Sequence, residues 1–107
     1  MKYPVIIVPF LWVDGMAVFP VILVRNKAAI QNEVLINHER IHLKQQLELL
    51  VMPFYILYLL NYIVNILIHR QHNKAYQNIV FEREAYSNEK NLKYTATRVV
   101  WAWRNYL

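Results

Sequence analysis

A chain of 107 residues is sized for one domain, read as 1–107, and its lack of cysteine excludes disulfides, thiolate metal sites and a cysteine nucleophile. Hydrophobic residues make up 57% and charged residues 18%, more apolar material than a small soluble domain needs, so a groove, an interface or a membrane surface is expected to take part of it. The net charge of +5 is scattered rather than gathered into a basic stripe, which argues against nucleic acid and leaves weak attraction to anionic membrane.

From the N-terminus, the run "PVIIVPFLWVDG" loosely imitates the apolar part of a signal peptide. Pro4 and Pro9 interrupt it and no small-x-small cleavage site follows, so Val5–Val8 is read as a buried strand. Val13-Asp14-Gly15 is a turn signal, with Gly15 expected to supply a positive φ. Val18–Val24 is a second apolar run. Pro20 within it predicts an edge strand or a bulge, and the edge near Val21–Val24 is a place where an extended substrate adds as a strand.

The spacing of Ile30, Val34, Ile41, Leu49 and Val51 predicts one long helix from Asn26, its N-cap, to the stop at Pro53. Leu47–Ile68 approaches the length of a membrane span, but the run after Pro53 is nearer that of a core helix, so a second, almost wholly buried helix is expected there. Residues 69–78 read as a polar connector, with His69 and His72 as a helix terminus rather than a metal pair. A last helical pattern covers 79–100, and "WAWRNYL" is an aromatic tail expected to cap the core.

The chemistry concentrates in His38-Glu39-Arg40-Ile41-His42. Residues i and i+4 of a helix share a face, so the two imidazoles can meet one ion while Glu39 reaches a water beside it. The alternative is two surface histidines on a charged face. A catalytic zinc needs a third protein ligand, and without cysteine that ligand must be His or a carboxylate. Glu82, Glu84 and Glu89 are the candidates on the last helix. Glu82 and Glu89 lie seven apart on one face. Glu82 also follows the apolar run Ile79-Val80-Phe81, where the helix meets the core, whereas Glu84 and Glu89 are read as solvated.

The histidine motif followed by Glu82-Arg83-Glu84-Ala85-Tyr86 resembles the gluzincin arrangement, in which an H-E-x-x-H helix is paired with a glutamate from a second helix. The glutamate segment is similar to the E-x-x-A-D segment of integral-membrane prenyl-protein endopeptidases, and a chain of this size with both segments resembles the minigluzincins. The resemblance runs from about Val18 to Tyr94. It implies Zn2+ held by His38, His42 and Glu82, with Glu39 as general base. Tyr86 stands where the membrane enzymes carry Asp, so a hydroxyl there is expected to orient His38, to stabilise an oxyanion or simply to pack. The implied fold is α+β, a small N-terminal sheet on three to four helices, and the implied activity is hydrolysis of a peptide or protein substrate in the cytoplasm or at a membrane surface. A latent zinc-binding scaffold and a membrane-associated interaction protein built on residues 47–68 remain the alternatives.

Overall fold

The computed structural model describes residues 3–107. The fold is α+β. Three short strands, β1 (Val5–Ile7), β2 (Gly15–Val18) and β3 (Val21–Val24), form a sheet in the order β1-β3-β2. β1 runs parallel to β3, pairing Val5 with Ile22, and β2 runs antiparallel to it, pairing Gly15 with Val24 and Val18 with Val21. Val21–Val24 is therefore the central strand, paired on both sides. The expected edge strand, and a substrate added to it, are overturned. The second apolar run holds the last residue of β2, a two-residue turn and β3, and Pro20 sits in that turn, where a missing N–H costs no ladder bond.

Gly15 also has a different role from the one expected. Its φ is not positive; a Cβ there would lie 3.1 Å from Leu35 Cδ1, so the glycine lets the next helix approach the sheet closely.

The long helix is two helices, α1 (Lys27–Ile30) and α2 (Glu33–Glu48). Asn26 caps the first, its Oδ1 accepting from Ala29 N at 3.0 Å, but Asn32 caps the second in the same way through Leu35 N at 3.1 Å. The apolar period runs straight across this break, which is why periodicity does not reveal it. α2 is buried on two sides. Gln46 binds it to the sheet, donating to Ala17 O at 2.9 Å and accepting from Phe19 N at 2.8 Å.

At the end of α2 the chain reverses through Leu50 (φ 59°) and Val51 (φ 67°, ψ −69°), with Met52 N donating to Leu50 O at 2.8 Å. This is a γ-turn with positive φ on a β-branched residue, a strained conformation. Pro53 then lies in the first turn of α3 (Met52–His69). The expectation that α3 is almost wholly buried is wrong: only Phe54 and Asn65 are buried along its length.

The polar connector contains α4 (His72–Gln77), and His69 ends α3 as expected of a helix terminus. The last pattern is also interrupted, into α5 (Val80–Asn88) and α6 (Tyr94–Thr97), and the tail forms a 3-10 helix over Ala102–Tyr106. Trp103 meets Phe81 edge-on at 5.3 Å, while Trp101 stacks on Trp103 from outside at 5.7 Å. One ring of the tail caps the core, and the other covers the first.

The apolar core is split. Ala17, Ile22, Val24, Ile36 and Leu43 fill the space between sheet and α2, and Phe54, Ile79, Val80 and Phe81 fill that between α3 and α5. Between the two lies a belt of buried polar side chains, where the site is found.

Candidate metal centre

Position 38 to 42 of α2 and the first turn of α5 face each other across this belt. His38, Glu39, His42 and Glu82 are all buried, at 5%, 6%, 5% and 3% exposure. The reading of surface histidines on a wet helix face is thus overturned. His38 Nε2 lies 3.2 Å from His42 Nε2, and Glu82 Oε1 lies 3.0 Å from each of them. Among the described residues, these three are the group whose donor atoms converge closely enough to hold a metal ion.

Each member has its own outer partner. His38 Nδ1 donates to Glu89 Oε1 at 2.8 Å, and His42 Nδ1 donates to Gln45 Oε1 at 2.8 Å. Tyr58 Oη donates to Glu82 Oε2 at 2.6 Å. The tautomers follow from these contacts. A carboxylate only accepts, so Glu89 requires a proton on His38 Nδ1. Gln45 spends its amide N–H groups on Phe81 O at 3.0 Å and Glu84 Oε1 at 2.9 Å, so its oxygen is the group turned to His42. Both neutral rings therefore aim an Nε2 lone pair at the same point as Glu82 Oε1.

Three acceptors within 3.2 Å of one another repel unless a cation lies among them. A proton is one solution. Burial works against an imidazolium at His42, but the Glu82 carboxylate overrides it and raises the His42 pKa to about 9. The same contacts act on Glu82: burial pushes its carboxyl up, and a proton taken up by the histidine pair, on His42 foremost, holds it well below the ordinary carboxylate range. A divalent metal is the other solution. Tetrahedral zinc with bonds of roughly 2.0–2.1 Å separates its ligands by about 3.3 Å, close to the spacing observed, and two imidazoles with a carboxylate match its chemistry. The residues present fit zinc.

Glu39 stays outside this three-atom cluster. Burial raises its carboxyl pKa above the ordinary value, opposed by His42 and His38 and by the Ala17 backbone of β2. A carboxylate with a raised pKa beside an electropositive centre is suited to taking and returning a proton.

Two glutamates depart from expectation. Glu89 is not a free solvated side chain: its side chain is 20% exposed and accepts from His38, and Asn37 Nδ2 donates to the backbone oxygens of Glu89 at 2.7 Å and Asn91 at 2.9 Å, clamping the end of α5 over His38. The spacing of seven from Glu82 was the available signal for its role. Glu84 is fully buried on the opposite side of α5. It accepts from Gln45, from Tyr94 Oη at 2.8 Å and from Arg98, which also reaches Glu48 at 2.6 Å. No short motif marks it, because its partners arrive from α2 and from α6 with its C-cap, far apart in the chain. Tyr86 is not the group hydrogen-bonded to His38. Its ring meets that imidazole edge-on at 4.5 Å, and its other side lines an open depression of about 530 Å³ with Arg83, Ser87 and Tyr106.

No family model, no curated protein and no solved structure matches this chain.

Proposed function

We propose that the protein is a zinc-dependent peptide hydrolase, with the metal held by His38 Nε2, His42 Nε2 and Glu82 Oε1. The observation that carries this reading is the convergence of three lone pairs whose tautomers and orientation are each set by a separate outer partner, Glu89, Gln45 and Tyr58. Bound zinc would supply Lewis acidity toward a water and toward a carbonyl oxygen. Glu39, next to His38 on α2 and in a buried setting that raises its pKa, takes the water's proton and returns it to the leaving amine. Tyr86 borders both His38, through an edge-on ring contact, and the depression outside.

The depth of the site favours a second reading, a latent zinc scaffold. One experiment separates the two. Zinc content and cleavage of a peptide library are measured for wild type, His42→Ala and Glu39→Gln. The hydrolase reading expects about one zinc per chain, near none in His42→Ala, and full zinc with no cleavage in Glu39→Gln. Zinc retained by wild type without cleavage of any peptide assigns the scaffold. Full zinc in His42→Ala removes the site.

A further inference from the structure

α3 has its polarity reversed relative to a helix on the surface of a soluble protein. At 100° per residue, Ile56, Leu59, Leu60, Ile63, Val64 and Leu67 fall on one half of the cylinder. That half points away from the protein: Leu59 is 57% exposed, Leu60 53% and Leu67 71%. Every polar side chain of the helix before His69 lies on the other half and is bonded inward. Asn61 Oδ1 accepts from Val80 N at 2.7 Å, Asn65 Nδ2 donates to Ala75 O at 3.1 Å, and Tyr58 reaches Glu82. In water the preference runs the other way, polar out and apolar in.

We infer that the outward half of α3 seats in a lipid surface bearing anionic headgroups. The face is aliphatic over the whole helix. It is far larger than the single scattered hydrophobic residues a soluble surface carries. The charge pattern names the lipid: residues 49–81 contain no Asp or Glu, and the exposed Arg70 and Lys74 follow the end of the helix. Basic side chains at the margin of an apolar face are attracted to anionic headgroups. The apolar surface continues past the N-terminal end of α3. Trp101 N donates to Glu48 Oε2 at 2.7 Å, which ties the segment carrying the exposed Val99 and Val100 to the end of α2, and the exposed Leu50 and Met52 follow Glu48 in the chain. The helix lies along the bilayer rather than across it, because its inner half is bonded to α4 and α5.

Vesicle flotation of the purified full chain tests this, with vesicles of phosphatidylcholine alone and of phosphatidylcholine mixed with phosphatidylglycerol. The chain is expected to float with the mixed vesicles and only weakly with the neutral ones. The double variant Leu60→Glu/Leu67→Glu loses flotation, while a melting curve no lower than wild type shows that it folds. Arg70→Gln/Lys74→Gln lowers partition into the mixed vesicles by about thirtyfold, the fold-change for ~1 kcal/mol per basic side chain at the headgroups; it carries the test if the leucine variant unfolds. A chain that stays in the soluble fraction with both vesicles overturns the proposal, as does equal binding to the two. A dimer in sedimentation that Leu60→Glu/Leu67→Glu disperses, without flotation of wild type, assigns the face to a second copy of the chain instead.

Discussion

At the residue scale, the site is defined by what stands behind each donor atom. A ligand imidazole that donates its other N–H to a carboxylate is held in one tautomer and one orientation, and losing that partner typically weakens metal binding 10- to 100-fold. For His38 the partner is Glu89 at 2.8 Å, while Tyr86 offers only an edge-on ring contact. Glu89→Gln is therefore expected to weaken zinc affinity at least tenfold in competition with a chromophoric chelator, and Tyr86→Phe to leave it unchanged. An equal loss in both variants would return the orienting role to the tyrosine.

At the element scale, the C-terminal segment is tied down by one buried charge system. Arg98, after α6, reaches Glu84 of α5 and Glu48 at the end of α2, so a single guanidinium joins three elements. Burial raises the Glu84 carboxyl, but the hydrogen bonds from Arg98, Gln45 and Tyr94 outweigh it and set its pKa below the ordinary 4.5. A carboxylate with a depressed folded pKa contributes stability that is present above its unfolded pKa and is lost as pH falls through the folded one. Acid titration of tryptophan fluorescence should thus report undocking of Trp103 from Phe81 with a midpoint below 4.5, and Glu84→Gln should remove that step. The same midpoint in the variant would place the transition elsewhere. Gln45 extends this system to His42, so the tail and the candidate metal site share a hydrogen-bonded chain.

For the whole molecule, two small apolar clusters are joined through a polar belt rather than merged into one core. The radius of gyration is 13.5 Å, near the ~13 Å of a compact chain of this length. A belt of acceptors that converge without a cation is repulsive, so metal should count heavily in folding. A ligand present at 100 times its Kd stabilises by about 2.7 kcal/mol, and a domain of this size gains roughly 4 °C or more per kcal/mol. Zinc added to chelator-treated protein is accordingly expected to raise Tm by about 10 °C or more, with no shift in His42→Ala. A wild-type melting curve indifferent to zinc would remove the metal from the stability of the fold.

The local facts of this protein were legible in its sequence. The pairing of His38 with His42 follows from the turn of a helix, and Glu82 stands out by entering α5 straight after an apolar run. The cap at Asn26 and Pro53 in the first turn of α3 likewise follow from backbone chemistry within a few residues. Nothing local told Glu84 from a solvated glutamate, since its burial depends on Gln45, Tyr94 and Arg98 arriving from elsewhere. Glu89 needed the clamp of Asn37 to bring it over His38. The place of Val21–Val24 in the sheet depended on β1 pairing on its far side, a contact no β-branched run can announce. Hydropathy and length favoured a buried core helix for α3 over a membrane span, and the exposure of its aliphatic side overturned that. Only the direction in which Asn61 and Asn65 point, inward to the backbone of α5 and α4, decided that its aliphatic half faces out, because periodicity records which residues share a face and not what that face meets.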